Sequence, residues 1–267
     1  MNETYYYGQG KVYLARRGDD GRPGAWRWLG DVSELVITLA FEQKISKMSR
    51  GGRVFNSRRF VIGHTGTITA TWHNFSGENL AVLLLSRAIN ATPSIVESEK
   101  LPMPIRAGDR ISLANQGVFG VDIAGLVKDR DYIVDSGWGV LDFITTPAQQ
   151  PVFVEYNHAG STCVPIIADA NDEFALRYEG LNMAEQNTSV LVELYRLAYN
   201  PLASWQLINN GSSLAGIETS AELLFDPSAM SDNQLGQFGR VVMLQALNGI
   251  THNGKIYHNG KFTHGGN

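Results

Sequence analysis

The chain has 267 residues, of which 43% are hydrophobic and 10% aromatic, and it carries a formal net charge of −4. That length holds one large all-β domain or two small ones, and the acidic balance excludes a general binder of nucleic acid or of anionic membranes. Cys163 is the single cysteine, which excludes an intrachain disulfide and fits a reducing compartment.

The opening MNETYYYGQGK has no basic region followed by an apolar core, so no signal peptide is expected. The longest apolar stretch, residues 80–85, is too short to span a bilayer. Residues 11–15 predict a short strand, residues 16–24 a turn rich in Gly, Asp and Pro, and residues 26–29 a second short strand. Two long runs follow. In residues 35–45 the odd positions Leu35, Ile37, Leu39, Phe41 and Ile45 are apolar, and the even ones are Val36, Thr38, Ala40, Glu42 and Lys44. In residues 60–72 the even positions Phe60, Ile62, His64, Gly66, Ile68, Ala70 and Trp72 alternate with Thr65, Thr67, Thr69 and Thr71. Period two predicts strands with one oily and one small polar face, roughly 35–40 Å long at about 3.3 Å per residue. The oily faces are expected to turn inward against the sandwich.

Residues 46–59, SKMSRGGRVFNSRR, read as a long loop between these strands. Counted from Lys44, the stretch holds Lys44, Lys47, Arg50, Arg53, Arg58 and Arg59 and no acid. The rest of the chain has 16 basic and 26 acidic residues, a balance of −10. A basic finger on an acidic body points to a negative partner, although a solvated loop is polar in any case.

Residues 76–90 predict the one helix, with Ser76 as N-cap and Leu80, Leu83, Leu84 and Ile89 as its apolar stripe. Pro93, Pro102 and Pro104 make residues 92–108 extended and irregular. Further strands are expected at 110–113, 118–123, 132–134, 140–144, 152–156, 173–181, 189–197, 205–207, 223–225 and 240–247. Many short strands with a single helix predict a mainly β fold, a β-sandwich or barrel, here taken as one β domain over residues 1–247. Residues 248–267 form a Gly/His-rich tail with three Asn-Gly copies followed by His252, His258 and His264. No Cys or carboxylate completes a ligand set there, so no metal is expected.

Catalytic signatures are missing: no G-x-S-x-G, P-loop, H-E-x-x-H or dinucleotide fingerprint occurs. His64 lies in mid-strand, where packing on the inner face is expected. Cys163 has no basic neighbour to lower its pKa and reads as a small apolar filler. Asp129-Arg130-Asp131 and residues 169–173 read as acidic solvated turns, without the spacing of a calcium loop. The expectation is a protein that is not an enzyme and needs no cofactor.

The ordered stretches GKVYLARRG…WRWLGDVSELVITLAFEQ, the SRGG loop with GTITATWHNFSGENLAVLLLS, KDRDYIVDSGWGVLDF, and LRYEGLNMAEQNTSVLVELYRLAYNPLASWQLI resemble the major tail tube protein of long-tailed, siphovirus-type bacteriophages. The resemblance covers residues 8 to 245. It implies a β-sandwich with a flanking helix whose subunits form hexameric rings, each subunit giving strands to a shared inner β-barrel. Stacked rings would form the virion tail tube that conducts DNA during ejection. Partners would be further copies of the chain, a tape measure protein and a tail terminator, with DNA passing unbound and no membrane involved. The protein would sit in the virion tail, and in the host cytoplasm during assembly. Thr38, Ala40, Glu42, Thr65, Thr67, Thr69 and Thr71 would face the lumen. The loop residues Lys47, Arg50, Arg53, Arg58 and Arg59 would reach the next ring. A contractile or secretion-system tube, a carbohydrate-binding virion module and a nucleic-acid binder working through the basic loop are the competing readings.

Overall fold

The computed structural model describes residues 5–168, 172–185, 188–208, 210–211, 216–231 and 236–244. The Asn-Gly repeat at 248–267 lies outside them. Strands make up 54% of the structure, and among the described residues all their ladders are antiparallel and one α-helix is present, so the fold is mainly β. In chain order β1 is Gly8–Arg16, β2 Arg27–Trp28, β3 Val32–Arg50 and β4 Arg53–Trp72. Then come α1 Gly77–Leu83, β5 Ile89–Ala91, β6 Ser94–Lys100, β7 Arg110–Ser112, β8 Val118–Ile123 and β9 Tyr132–Asp135. They are followed by β10 Val140–Phe143, β11 Phe153–His158, β12 Ser161–Cys163, β13 Phe174–Asn182, β14 Thr188–Tyr199, β15 Ile217–Leu223 and β16 Gly239–Met243. Two compact units result: Met1–Asn74 with Asn171–Asn267, and between them Phe75–Ala170.

Unit one is an eight-stranded sheet in the order β2-β1-β13-β14-β15-β4-β3, with β16 on β14. Its buried face follows from register. Ile217, Thr219, Ala221 and Leu223 of β15 lie opposite Trp72, Ala70, Ile68 and Gly66 of β4, and all eight are buried. Gly66 is needed there, because a Cβ would stand 2.9 Å from the Leu223 side chain and 3.2 Å from that of Leu39. Trp72 meets Tyr199 edge-on at 5.4 Å, and Tyr199 meets Phe174 at 5.7 Å.

The greatest departure from the sequence reading is the supposed loop at 46–59. It is strand on both sides, paired from Val32↔Trp72 to Arg50↔Arg53 and closed by Gly51-Gly52 alone. Both glycines have positive φ, 59° and 74°, as a two-residue turn matched to strand twist demands. Lys47, Arg50, Arg53, Arg58 and Arg59 therefore sit on a β-ribbon. The inward packing expected of the oily faces holds only near the sheet. Ile68, Ala70 and Trp72 are buried, whereas Leu35 is half-buried and Ile37, Leu39, Phe41 and Ile62 are exposed. The exposed positions on β3 lie on the outermost strand of the sheet, and Ile62 of β4 lies beyond Gly66, where the ladder with β15 ends. His64, opposite Phe41, is exposed as well.

Unit two holds α1 and three small sheets, β7-β10-β9, β6-β11-β8 and β12-β5. Leu101, Ile105, Leu113, Val118, Tyr132, Leu141, Phe143 and Tyr156 are among its buried core. The helix expected over 76–90 spans only seven residues. Ser76 caps it by accepting from the Asn79 amide at 3.2 Å. It stops because Leu85 takes a positive φ of 49°, and the chain then enters β5 at Ile89. Its buried face is Asn79, Ala81, Val82 and Leu83; of the expected stripe Leu83 is buried, Leu80 and Leu84 are half-buried, and Ile89 is exposed. The stretch taken as irregular contains β6, residues 205–207 form no strand, and Cys163 is exposed on β12 instead of filling a core.

Asp131 is no solvated turn residue. Its carboxylate accepts from Arg130 at 2.7 Å, the Val127 amide at 2.8 Å and Thr145 at 3.3 Å. The Arg130 guanidinium, then the Val127 amide, hold this carboxyl down to about 2 from an ordinary 3.8. A depressed folded-state pKa stabilises fully above the ordinary value, and the stabilisation disappears as pH falls through the folded value. Asp131→Asn is expected to lower stability at neutral pH and to flatten its dependence between about pH 4 and pH 2. Denaturant melts of the full chain across that window check this. An acid limb as steep as in the parent would contradict it.

Candidate interaction surface

Opposite residues of an antiparallel pair share a face, so the ladder between β3 and β4 places every side chain of the ribbon. Val36↔Thr69, Thr38↔Thr67, Ala40↔Thr65 and Glu42↔Gly63 make one face, with Ser33↔Thr71 at its root. The structure thus brings Thr38, Ala40, Glu42, Thr65, Thr67, Thr69 and Thr71 together. Six of the seven are exposed and Thr71 is half-buried. β15 extends the face, since Glu218, Ser220 and Glu222 lie opposite Thr71, Thr69 and Thr67. Among the described residues no cation pairs with Glu42, Glu218 or Glu222, so the face from its root to Glu42 is small, hydroxylated and anionic. These three β15 residues were missed by sequence reading. Their signal was the alternation IETSAEL, apolar or small on one side and Glu-Ser-Glu on the other.

Further along the sheet the charges are internally paired. Glu193 of β14 receives Arg177 at 2.8 Å and Arg240 at 2.6 Å, and Arg177 also holds Glu179 at 2.6 Å.

Two β-bulges change the ribbon's pattern. Glu42↔Gly63 is followed by Gln43↔Val61, and Ser46↔Arg58 by Lys47↔Asn56, so Ile62 and Ser57 are extra residues in β4. Each extra residue shifts the parity of β4 while β3, past its own irregularity between Ser33 and Val36, alternates undisturbed. Phe60 therefore leaves the oily side and joins the threonine face opposite Lys44. Arg58 and the Arg50↔Arg53 pair fall on that face too, while Lys47 and Arg59 fall on the other, where Arg59 lies 5.2 Å from the Phe41 ring. The five basic residues are thus split between two sides.

The ribbon's edges are the decisive geometry. β4 pairs with β15 only over Gly66–Trp72, and the β3 edge away from β4 carries no ladder among the described residues. Thirteen residues of β4 beyond that point project as a two-stranded ribbon about 40 Å long. Leu39 is 70% exposed and Val54 67%, and Phe41, Ile45, Met48, Phe55, Phe60, Val61 and Ile62 are exposed too. An isolated two-stranded ribbon is marginal in water, and unpaired edges bearing apolar side chains recruit further strands.

Residues 5–242 match the model of a family described as Protein of unknown function UCP028589. No curated protein matches the chain.

Proposed function

The chain belongs to that family, whose description assigns no function, and from this premise we propose that it is a structural subunit of a phage tail tube, assembling as stacked hexameric rings through which DNA passes. The single observation that carries the reading is the projecting ribbon, with two edges unpaired among the described residues and nine exposed apolar side chains, a surface that further copies would cover. A ring of such sheets removes the edges by closure. Four neighbouring strands, β3, β4, β15 and β14, from each of six copies, spaced ~4.8 Å and tilted ~40°, close a barrel about 45–50 Å across. Such a barrel leaves an aqueous channel for a duplex.

The threonine face is the channel wall in this reading. Hydroxyls meet water without holding phosphate, and Glu42, Glu218 and Glu222 repel it. Lys44, Arg50, Arg53 and Arg58 share that face along the projecting ribbon, so a non-adhesive channel requires carboxylates of a neighbouring ring to neutralise them. A single exposed pair contributes only about 0–1 kcal/mol, but sixfold repetition multiplies the effect.

Negative-stain electron microscopy of concentrated protein tests the reading: rings or tubes are expected. Arg50→Glu with Arg53→Glu is expected to stop growth at single rings with the melting curve unchanged. Protein that sediments as a monomer at every concentration would sink the proposal. Normal tubes from the double variant would remove the tip from the ring–ring contact.

A further inference from the structure

The sheet β6-β11-β8 of unit two turns one face to its core and leaves the other uncovered. Val154, Tyr156 and His158 of β11 are buried, so Phe153, Glu155 and Asn157 belong to the outer face. Register builds two rows across it. Asp122 of β8 lies opposite Glu155, and a bulge in β6 sets Glu97 and Ser98 against Glu155 from the other side. The next row is Ile95–Asn157–Phe119, with Ile95 64% exposed and Phe119 57%. Among the described residues no cation pairs with Glu97, Glu155 or Asp122. Lys100, opposite Phe153, is the one base on this face of the three strands, so three acids stand against one base, a balance of −2.

Like charges directly opposite one another on neighbouring strands destabilise a sheet. Glu155↔Asp122 carries that cost, and Arg50↔Arg53 at the ribbon tip carries it with the sign reversed. Each of these pairs has an apolar row beside it. On the ribbon that row is Met48↔Phe55, both exposed and on the same face as Arg50 and Arg53. Laid face to face, the two surfaces set a basic row on an acidic row and an apolar row on an apolar row. The match cancels both like-charge costs and buries Met48 and Phe55 with Ile95 and Phe119. Both surfaces are exposed in the chain, so the partner is a second copy. The two patches differ, which makes the contact heterologous and lets it repeat along an axis without closing, as stacked rings need.

We infer that the outer face of β6-β11-β8 is the docking site for the ribbon tip of a copy in the next ring, with Glu155 and Asp122 receiving Arg50 and Arg53. The contact rests on the tube reading and assigns the carboxylates that the reading requires.

The test uses the full-length protein and scores contact and tubes separately. Cys163→Ser protein carrying Met48→Cys is mixed with Cys163→Ser protein carrying Ile95→Cys and treated with a short bis-maleimide. A covalent link between positions 48 and 95 of different copies is expected by peptide mapping. Asp122→Lys with Glu155→Lys in the Ile95→Cys partner should reduce it about tenfold or more, and the nearly isosteric Asp122→Asn with Glu155→Gln severalfold. Adding Arg50→Glu and Arg53→Glu to the Met48→Cys partner should restore the link to the lysine variant, because the charges are then exchanged. All four charged positions are exposed, so melting curves should superpose. Absence of the 48–95 link, a link that neither the lysine nor the amide variant weakens, or exchanged charges that fail to restore it overturns the inference. Parent tubes without the link keep the tube reading and sink this contact. The link without rings or tubes keeps the contact and sinks the tube reading.

Discussion

Removing residues 43–62 and joining Glu42 to Gly63 through Asn-Gly is expected to abolish tube formation completely while both compact units stay folded. Glu42 and Gly63 are directly opposite, so a two-residue turn closes the shortened hairpin in the native register. Every position removed is exposed, and the β4–β15 ladder begins only at Gly66, so no buried contact of unit one is lost. What disappears is the projecting ribbon with most of its apolar side chains and all six clustered bases. Each backbone hydrogen bond formed along such an edge contributes about 0.5–1.5 kcal/mol, so a dozen per subunit, taken six times round a ring, exceeds any other contact this face offers. Thermal melts by circular dichroism should superpose on the parent within a few degrees, while sedimentation shows monomer alone. Tubes formed by the truncated protein would show that the ribbon is not the assembling element.

Thr67→Lys with Thr69→Lys is expected to permit tubes and to arrest DNA passage. Both positions are exposed and lie opposite Glu222 and Ser220, so the new ammonium groups reach solvent without burying charge. Each lysine offers one phosphate contact, and binding through Z such contacts falls with salt at a slope of about 0.9Z, so the arrest should be strongest at low salt and relieved at high salt. Glu218→Gln with Glu222→Gln should slow passage far less, because it removes repulsion without adding an adhesive group. Ejection from reconstituted virions, timed against salt concentration, measures both. Unchanged ejection by the lysine variant at low salt would show that this face looks away from the channel. A bulky thiol reagent labelling Thr67→Cys fully in intact tubes of a Cys163→Ser background would lead to the same conclusion.

Much of the fold was legible because period two is a local property. The alternation at 60–72 placed Thr65, Thr67, Thr69 and Thr71 on one face and Ile68, Ala70 and Trp72 on the other, and the ladder with β15 bears this out residue by residue. Some misses were also legible. Gly51-Gly52 between two alternating runs is a two-residue hairpin signal, and reading residues 46–59 as a loop overlooked it. The alternation of residues 217–223 marked β15 in the same way. Other misses had no local sign. Nothing in the composition of 56–63 announces that Ser57 and Ile62 are bulged, because a bulge depends on the facing strand. The helix was overextended because Leu84 and Ile89 continue the apolar spacing of Leu80 and Leu83, and only the positive φ at Leu85 ends it.

The sequence by itself determined that this is a mainly β protein, which of its faces are oily, and that its positive charge is gathered in one stretch. Side-chain order and charge are properties of neighbours along the chain. The tertiary structure alone decided where the oily face ceases to be buried, since that depends on β3 being the outermost strand and on β15 stopping at Leu223, a segment far along the chain from the β4 residues it pairs with. It also decided that the basic stretch is a two-stranded ribbon with its charges on two sides, and that Glu218 and Glu222 stand beside the threonines. Pairing across a sheet brings together residues that no local pattern connects, and one inserted residue, Ile62, is enough to turn Phe60 from one face to the other.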